Sequence, residues 1–413
     1  MNSKRIIRLS GDKSISHRAL MLASVSNGYN TITNLCNGKD VQSTIDCLKA
    51  CGAIINKKGN SYTIKSNTLT NPIKPLNCGN SGTTMRLLTG LLAGQKVSAV
   101  LYGDQSLSKR PMDRVIQPLR KIGSDIKYIN NQIVINKSHI NGGEVLNPTP
   151  SAQVKSSIIL AALYGNNSTV LTESYNTRDH TEKMILCHSA NSIEILGKQI
   201  KINPTKLKLE NIDIPGDISK ASFLIAYACL SPKSDILFEN MLVNPRRLGF
   251  INSLNKMGAN ISIYNSESKL GEDVGDIRVK YNGRLKNIKV DEQTVRDMID
   301  EIPILSIVAA LSKGVMTISG ISELKLKESN RVLGIVSNLR AMGCNITENK
   351  ASIDIKGQKC LYNTNIKTYS DHRIAMAFHI ASFFSKHTMT IDDLECIKIS
   401  FPDFFKKLNE IIL

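Results

Sequence analysis

The sequence predicts an α/β protein in which one unit of about 70 residues is repeated six times, giving two globular domains of three units each. Three observations favour this fold class: helical segments that are apolar almost all round, a second series of helices with mixed faces, and short strands that follow them. A solenoid is the alternative for any repeated chain. This repeat is long, however, and its apolar helices need protein on every side.

Polar or basic residues lead directly into each of the six apolar segments. Stretches such as SIILAALYG and ILSIVAALSKG are typical of helices that are enclosed by protein. The starts of the segments are 65, 70, 66, 83 and 70 residues apart, which defines the repeat. The predicted core helices are Ser16–Ser26, Ser81–Gly94, Ser151–Gly165, Asp217–Leu230, Asp300–Gly314 and Ser370–Ser385.

A second helix is predicted between successive core helices. An apolar residue, a glycine four positions later and an isoleucine three positions beyond it recur, as in Leu48, Gly52 and Ile55. Each glycine suits the left-handed residue that ends a helix. The other sets are Leu119/Gly123/Ile126, Ile193/Gly197/Ile200, Leu254/Gly258/Ile261 and Leu339/Gly343/Ile346.

Strands are predicted after these glycines, where β-branched residues alternate with polar ones. The runs are NSYTIK, NNQIVIN, TKLKLE, GDIRVK and ASIDIK. A last helix is predicted over Phe401–Leu413.

Composition limits the class of partner. The 413 residues include 53 Lys and Arg against 35 Asp and Glu, a net charge of +18, so anionic partners come first: nucleic acid, acidic lipid or phosphorylated small molecules. The chain is rich in Lys, Asn and Ile together, which compositional drift also produces, so the net charge alone discriminates weakly among these partners.

Nine scattered cysteines without a C-x-x-C pair favour reduced thiols. Cys47 and Cys51 share a helix face, but without further ligands core thiols are favoured over a metal pair.

The chain has no run of apolar residues long enough for a signal peptide or a membrane span. We therefore expect a soluble cytoplasmic protein.

Chemically rich motifs lie where the core helices begin. In GDKSISHRA, Lys13 and Arg18 flank Ser14 at a helix start, and helix N–H groups, hydroxyls and cations together form an anion site. A serine cap beside a solvated arginine is the alternative. The glycine-rich turn NCGNSGTTMR is neither a Walker A loop nor a dinucleotide turn. In IDEIP, helix-dipole pairing explains one acid but does not select Asp300 over Glu301.

Taken together, the motifs identify a family. In order, GDKSISHRA, GNSGTTMRLLTG, KRPMDRVIQPLRKIG, SAQVKS, TRDHTEKM, IDEIPILSIVAA, LKLKESNR and SDHRIAMAF resemble 3-phosphoshikimate 1-carboxyvinyltransferase, or EPSP synthase, over nearly the whole chain. The resemblance implies the enolpyruvyl transferase fold, with two similar domains of three βαβαββ units and a cleft between them. It implies domains at residues 12–214 and at 1–11 plus 215–413, with a first strand within about residues 1–11.

The resemblance also implies a reaction. The family moves the enolpyruvyl group of phosphoenolpyruvate onto the 5-hydroxyl of shikimate 3-phosphate and releases phosphate, in the shikimate pathway to chorismate and the aromatic amino acids. Asp300 would accept the hydroxyl proton, Glu328 would exchange a proton with the methylene carbon, and Lys13 would contact both substrates. No cofactor and no metal is expected, and the expected partners are the two substrates, without nucleic acid or membrane, bound by a monomer.

The implied binding residues are basic, polar or glycine residues near the helix starts. Those implied for shikimate 3-phosphate are Lys13, Ser14, Arg18, Ser151, Ala152, Gln153, Arg178, Asp300 and Lys327. Those implied for phosphoenolpyruvate are Lys13, Asn80, Gly82, Arg110, Gln153, Arg331 and Arg373.

Two departures from the family pattern concern positions near the site. Asn330 stands where members commonly carry Asp, and Ile399 stands where some members place Lys, with Lys398 one position earlier. Lys398 is therefore left out of the predicted site. A third departure, Arg246 in place of a common Thr, concerns only a local helix cap.

Two alternative functions remain open at this point. UDP-N-acetylglucosamine 1-carboxyvinyltransferase shares the fold and phosphoenolpyruvate but typically has a cysteine in the loop that corresponds to Gly103–Arg114, where this chain has none. A basic nucleic-acid binder would explain the charge. Against it, aromatic residues are only 5%, there is no Trp, and no basic run is interleaved with aromatics for stacking.

Overall fold

The computed structural model describes residues 5–65, 68–209, 211–362, 364–386 and 388–412. Residues 1–4, Glu210 and Leu413 belong to the predicted first strand, the TKLKLE strand and the last helix, and they lie outside the described residues. Within the described ranges, no helix has the length and apolarity needed to cross a membrane.

The helices and strands alternate along the chain. The α-helices of the described residues are α1 (Lys13–Val25), α2 (Lys39–Ala50), α3 (Gly82–Gly94), α4 (Gln105–Ser108), α5 (Asp113–Lys121), α6 (Ala152–Ala162), α7 (His180–His188), α8 (Ile218–Leu230), α9 (Gly249–Lys256), α10 (Glu292–Asp297), α11 (Ile302–Leu311), α12 (Arg331–Ala341), α13 (His372–Ser382) and α14 (Phe404–Asn409). Short 3₁₀ helices cover Pro245–Arg247, Ile321–Leu326 and Glu395–Ile399.

The strands are mostly two to five residues long. Those of the described residues are β1 (Arg5–Ile7), β2 (Tyr29–Thr33), β3 (Ile54–Lys58), β4 (Ser61–Lys65), β5 (Leu76–Asn77), β6 (Ala99–Tyr102), β7 (Asp125–Ile129), β8 (Gln132–Asn136), β9 (Gly143–Asn147), β10 (Thr169–Glu173), β11 (Ile193–Leu196), β12 (Gln199–Ile202), β13 (Ile212–Asp213), β14 (Asp235–Leu242), β15 (Asn260–Lys269), β16 (Glu272–Lys280), β17 (Lys289–Val290), β18 (Val315–Ser319), β19 (Ile346–Glu348), β20 (Ser352–Lys356), β21 (Leu361–Tyr362), β22 (Asn365–Ile366), β23 (Ser385–Lys386) and β24 (Thr390–Ile391).

The chain divides into two compact units. The first unit holds Gly11–Ile214 and Ser268–Glu272. The second unit holds the described parts of Met1–Ser10, Pro215–Glu267 and Asp273–Leu413. In the first unit a Cβ on Gly11 would lie 2.0 Å from Asn34 O and 2.7 Å from Ile214 Cγ2, so only glycine fits where the unit begins beside its own last strand.

One sheet pattern recurs in both units. The first unit contains sheets with the strand orders β13-β2-β4-β3, β5-β6-β8-β7 and β11-β12-β10-β9, and the second contains β1-β14-β16-β15 and β17-β18-β20-β19. In these sheets a short strand pairs in parallel with a second strand, as Arg5 with Ile236 and Ile212 with Ile32, and an antiparallel hairpin continues the sheet. This order is the repeated βαβαββ unit, because parallel neighbours need a crossover helix.

The sixth repeat is incomplete. Its strands form two separate parallel pairs, β21 with β23 and β22 with β24. Among the described residues no antiparallel hairpin follows α13, and the 3₁₀ helix Glu395–Ile399 and α14 take that place. The predicted last helix over Phe401–Leu413 is wrong in length, since α14 covers Phe404–Asn409.

The six predicted core helices are confirmed as α1, α3, α6, α8, α11 and α13. Their starts differ from the predictions by one to three residues, and capping side chains fix each of these starts except that of α11. Asp12 Oδ1 accepts the Ile15 N–H at 2.9 Å, so α1 begins at Lys13 instead of Ser16. Ser81, Ser151 and Asp217 cap α3, α6 and α8 directly.

Two predictions in the third repeat are wrong. Gly197 was expected to end a helix, but β11 precedes it and its φ of +61° serves the turn into β12. The run TKLKLE forms no strand over Thr205–Leu209, although the side chains of Leu207 and Leu209 are buried as the alternation predicts. Its backbone makes isolated bonds instead, such as Asn27 N–H to Leu207 O at 3.1 Å.

Close helix packing places the helix starts of the first unit side by side. A Cβ on Gly90 would lie 2.0 Å from Ser157 O, and one on Gly94 would lie 2.9 Å from Ala161 O, so the α3 and α6 backbones touch at two successive turns. The contacts join residues 67 positions apart (157 − 90 and 161 − 94), which makes the helices parallel. Their N-terminal ends, with their positive partial charge, therefore lie next to each other.

Candidate active site

Lys13 opens α1 and is held by a carboxylate from α2. Its Nζ lies 2.7 Å from Asp40 Oδ2, and both side chains are largely buried. The backbone oxygen of Asp40 accepts the Thr84 hydroxyl at 3.2 Å, and Thr84 Oγ1 lies 2.7 Å from Ser81 Oγ. These contacts connect Lys13 to the start of α3, where the glycine-rich turn lies.

Arg18 is buried one turn further along α1. Its guanidinium donates to Thr181 Oγ1 at 2.7 Å, to Ser156 Oγ at 2.7 Å and to Ser14 O at 2.9 Å. All three acceptors are neutral oxygens. Burial lowers the pKa of Arg18 to about 10, against the raising effect of Glu182 and other acids, so it remains charged at neutral pH. Arg178 is near enough to act on Arg18 electrostatically, and both are predicted ligands of shikimate 3-phosphate.

The glycine-rich turn brings two arginines together around Gly82. A Cβ on this residue would lie 2.9 Å from Arg86 Nη1 and 3.3 Å from Arg110 Nη1, so any side chain would intrude on both guanidinium groups. Arg110 Nη2 donates to Asn80 Oδ1 at 2.6 Å, and Arg86 Nη1 donates to Gln153 Oε1 at 2.5 Å. The predicted phosphoenolpyruvate ligands Asn80, Gly82, Arg110 and Gln153 are therefore neighbours.

Ser151 and Ala152 lie at the start of α6, where Ser151 Oγ accepts the Val154 N–H at 3.4 Å. Ser156 Oγ donates to Ala152 O at 2.7 Å and also receives Arg18, so the α6 start is continuous with the Arg18 site. The structure thus brings together the site residues that were predicted in the first unit, and Arg178 acts on Arg18 electrostatically.

In the second unit the predicted site residues gather around Arg331. This side chain is fully buried, and its three nitrogens meet Asp371 Oδ2 at 2.9 Å, Glu328 Oε2 at 2.6 Å and Asp300 Oδ1 at 3.2 Å. Burial opposes the charge of Arg331, but Asp371, Glu328 and Asp300 outweigh it and raise its pKa. Burial likewise opposes the charge of Asp371, but Arg331 keeps the pKa of that carboxyl below its usual value.

Further cationic side chains lie near Asp300. Besides Arg331, Arg373 Nε lies 3.9 Å and Lys327 Nζ lies 4.0 Å from its Oδ1. Arg373 Nη1 also donates to the backbone oxygen of Asp300 at 3.1 Å. Asp300 and Glu328 both remain partly exposed, which leaves two carboxylates on one guanidinium within reach of a ligand. Such a pair can accept a proton at one oxygen and deliver one from another.

The predicted site residues did not include the charged residues Asp40, Arg86, Glu301 and Asp371. Arg86 lies in the quoted GNSGTTMR motif one turn after Gly82, and that helical spacing was the available signal. Asp40 resembles any acidic residue in a first helical turn, so the sequence offered nothing to select it. Glu301 was noted beside Asp300, but only the structure shows it buried and 3.8 Å from Arg373.

The departures from the family pattern have local explanations. Asn330 Oδ1 accepts the Leu333 N–H at 3.1 Å, so it caps α12 as an Asp would. Lys398 lies on the surface and pairs with Glu395 at 2.6 Å. Asn244 Oδ1 accepts the Arg246 N–H at 2.9 Å, which keeps the local cap whatever residue stands at 246.

One group of side chains has metal-ligand chemistry within the described ranges. Asp179, His180 and Glu272, all of the first unit, bring ligand atoms within 4.8 Å of one another. His180 Nδ1 and Glu272 Oε1 are joined by a hydrogen bond of 2.7 Å, which already accounts for their burial together. None of the three is a predicted site residue.

Comparisons with known proteins agree with the motifs. A family model described as EPSP synthase (3-phosphoshikimate 1-carboxyvinyltransferase) matches residues 2–408. A 3-phosphoshikimate 1-carboxyvinyltransferase of Alkaliphilus metalliredigens is 40% identical, covering 97% of this chain and 96% of its own. One of Thermodesulfovibrio yellowstonii is 42% identical, covering 96% and 95%.

A solved structure gives the same result. The EPSP synthase from Acinetobacter baumannii superposes with a TM-score of 0.87 at 34% identity, covering 100% of this chain and 96% of that one. These matches favour the motif-based interpretation over UDP-N-acetylglucosamine 1-carboxyvinyltransferase and over a nucleic-acid binder. Motifs, repeated βαβαββ units and whole-chain matches converge, and the chain belongs to the EPSP synthase (3-phosphoshikimate 1-carboxyvinyltransferase) family, with its two-domain enolpyruvyl transferase fold.

Proposed function

We propose that this chain transfers the enolpyruvyl group of phosphoenolpyruvate to the 5-hydroxyl of shikimate 3-phosphate and releases phosphate. Both substrates are polyanions. The observation that carries the proposal is the gathering of Lys13, Arg18, Arg86 and Arg110 at adjacent helix starts, where Thr181, Ser156 and Ser14 hold Arg18 through neutral oxygens. A cation held in this way keeps its charge for an anionic ligand.

The binding roles follow the charge of each cluster. Arg18, with Ser14, Ser151, Ala152, Gln153 and Arg178, would hold shikimate 3-phosphate, together with Asp300 and Lys327. The cluster around Gly82 would hold phosphoenolpyruvate, because its paired guanidinium groups match carboxylate and phosphate oxygens. Arg331 and Arg373 would bind the same substrate, and Lys13 would contact both.

The chemical roles fall to two carboxylates. Asp300 would take the proton of the 5-hydroxyl as its oxygen attacks the second carbon of phosphoenolpyruvate. Glu328 would give a proton to the methylene carbon, so a tetrahedral intermediate forms. That intermediate would collapse when the bond between its second carbon and the phosphate oxygen breaks, the methyl group returns a proton to Glu328 and Asp300 gives its proton to the departing phosphate. Lys327 and Arg331 would stabilise the negative charge during both steps.

Phosphate release tests the reaction directly. The wild-type protein should release phosphate only when both substrates are present, and release without shikimate 3-phosphate, or none with both, would contradict the proposal. Lys13→Met and Arg110→Ala should lose most turnover. Lys325→Met is the matched control, because it removes an exposed lysine that pairs with Glu348 at 2.9 Å.

A reaction in D₂O distinguishes the proposed roles of Asp300 and Glu328. A proton delivered to the methylene carbon and then removed leaves deuterium in the product when the reaction runs in D₂O. Asp300→Asn should bind shikimate 3-phosphate by calorimetry yet turn over poorly. Glu328→Gln should abolish deuterium incorporation, which mass spectrometry detects, and incorporation at the wild-type rate would remove Glu328 from that role.

We also expect the protein to act as a monomer in the cytoplasm. Sedimentation equilibrium of the purified protein and fractionation of the cells that express it would test these two expectations.

A further inference from the structure

Glu301 is a buried carboxylate that the reaction scheme leaves without a role. It is 2% exposed and lies directly before α11, beside the predicted base Asp300. Its Oε1 accepts a hydrogen bond from the Ser219 hydroxyl. Its Oε2 is buried and has no hydrogen-bond donor among the described residues. Burying a carboxylate with one unsatisfied oxygen is unfavourable, so nearby positive charge must offset the cost.

Two arginines supply that charge. Arg373 Nη1 lies 3.8 Å from Glu301 Oε1. Arg247 Nη2 donates to Ser219 Oγ at 2.9 Å, and the same hydroxyl donates to Glu301. One carboxylate therefore attracts Arg373 directly and Arg247 through a serine.

Within the described residues the Arg373 side chain makes its one hydrogen bond through Nη1. Its Nη1 is fixed by the Asp300 backbone oxygen at 3.1 Å and by the charge of Glu301. The start of α13 fixes its backbone, because Asp371 Oδ1 accepts the Arg373 N–H at 2.9 Å. Among the described residues Nη2 has no hydrogen-bond acceptor, so that nitrogen is left for a ligand.

We propose that Glu301 is a positioning residue which orients the Arg373 guanidinium for phosphoenolpyruvate. This inference rests on the proposed function and adds a residue to it. With the negative charge in place, Nη1 is drawn toward the protein and Nη2 is presented to the substrate. Without it, the guanidinium has a single backbone anchor and can rotate toward Asp300 Oδ1, which lies 3.9 Å from its Nε. Loss of orientation weakens binding of the substrate that Arg373 contacts and leaves the other substrate unaffected.

Glu301→Gln isolates the charge. Glutamine has nearly the same volume and still accepts the Ser219 hydroxyl, so packing and the hydrogen bond are retained. The KM for phosphoenolpyruvate should rise about tenfold, a typical effect of losing a charge-assisted contact. The KM for shikimate 3-phosphate should change less than about twofold. An unchanged KM for phosphoenolpyruvate, or an equal rise for both substrates, would overturn the inference.

A double-mutant cycle tests whether Glu301 acts through Arg373. Arg373→Lys keeps a cation but cannot present two parallel donors. In that background Glu301→Gln should raise the KM for phosphoenolpyruvate by no more than about twofold, because the group it orients is gone. A full tenfold rise in the Arg373→Lys background would show that Glu301 acts elsewhere.

Two further variants keep the test decisive. Ser219→Ala leaves the Glu301 charge in place but removes its hydroxyl donor, and should raise the KM for phosphoenolpyruvate by about threefold even if Glu301→Gln proves unstable. No rise in that variant would count against the inference. Glu348→Gln removes an exposed paired acid and should change neither KM. Wild-type protein that releases no phosphate would refute the proposed function itself, whereas active wild type with an unaffected Glu301→Gln refutes only the inference.

Discussion

His17 makes folding stability depend on pH in a way that one substitution can isolate. Its side chain is fully buried, and a hydrogen bond of 2.7 Å joins its Nδ1 to Thr44 Oγ1. Burial lowers its pKa from 6.5 to about 3, with Lys13 and Arg18 adding to the effect and Asp40 opposing it. The folded protein therefore keeps this imidazole neutral at pH values where the unfolded chain protonates it.

The sign and size follow from that difference. Since the folded pKa lies below the unfolded one, the unfolded state binds more protons between pH 6.5 and about 3, and stability falls as pH falls through that window. The stabilisation from the neutral His17 is fully present at pH values above its unfolded-state pKa of 6.5. With these two pKa values, His17 alone removes about 2 kcal/mol of unfolding free energy between pH 7 and pH 5.

Urea unfolding of wild type and His17→Gln at pH 7, 6 and 5 measures this contribution. Glutamine can bond to Thr44 but does not titrate, and all other groups are common to both proteins, so their contributions cancel in the difference. The wild type should lose about 2 kcal/mol more than the variant on going from pH 7 to pH 5. If both proteins lost the same unfolding free energy, folding would not lower the His17 pKa, and the conclusion that the buried imidazole is neutral would be wrong.

Four other substitutions test close packing, backbone strain and a buried ion-pair cluster, with urea midpoints as the measurement. Gly90→Ala should lower the free energy of unfolding by about 3 kcal/mol, because its Cβ would lie 2.0 Å from Ser157 O. Gly283→Ala is the control: its φ is +82° and no atom lies within 4 Å, so it should cost only about 1 kcal/mol of backbone strain. Similar losses for the two variants would contradict the close approach of α3 and α6. Lys96→Gly should raise stability by about 0.5 kcal/mol, since Lys96 has φ +59°, and a loss would mean that its side-chain contacts outweigh the strain. Arg331→Met should cost about 3–5 kcal/mol by leaving its carboxylates without their buried partner, and a neutral result would show that the cluster relaxes into water.

The sequence predicted the structural features that depend on the local pattern of apolar residues and glycines. The core helices follow from uniform apolarity, and Gly52 and Gly123 end helices with positive φ as expected. The prediction that Gly197 ends a helix was wrong, because the same spacing of apolar residue, glycine and isoleucine also fits a strand, a tight turn and a second strand. The strand prediction for TKLKLE was wrong because the alternation predicts which side chains are buried. It does not predict whether the backbone of a neighbouring strand lies in register to pair with this segment.

The candidate site shows the same division. The resemblance implied the site residues, and the motifs that carry it lie near helix starts that the sequence pattern locates. Their partners were not, because the contact of Arg86 with Gln153 depends on the parallel packing of α3 and α6, and no signal inside either segment encodes it. The roles of Asp300 and Glu301 likewise separate only through neighbours distant in sequence, Arg331 for one and Ser219 for the other.

The two units hold their arginines in different ways, and this difference suits different tasks. Arg18 of the first unit is bound by hydroxyls and a carbonyl, so an arriving phosphate adds to its interactions without displacing a carboxylate. Arg331 of the second unit already pairs with Asp371, Glu328 and Asp300, so its guanidinium also fixes where those acids lie. A guanidinium of the first kind is suited to bind a polyanion, and one of the second kind to arrange proton-transfer groups. The proposed division of labour, with anion binding centred on Arg18 and proton transfer on Asp300 and Glu328, follows from that contrast in partners.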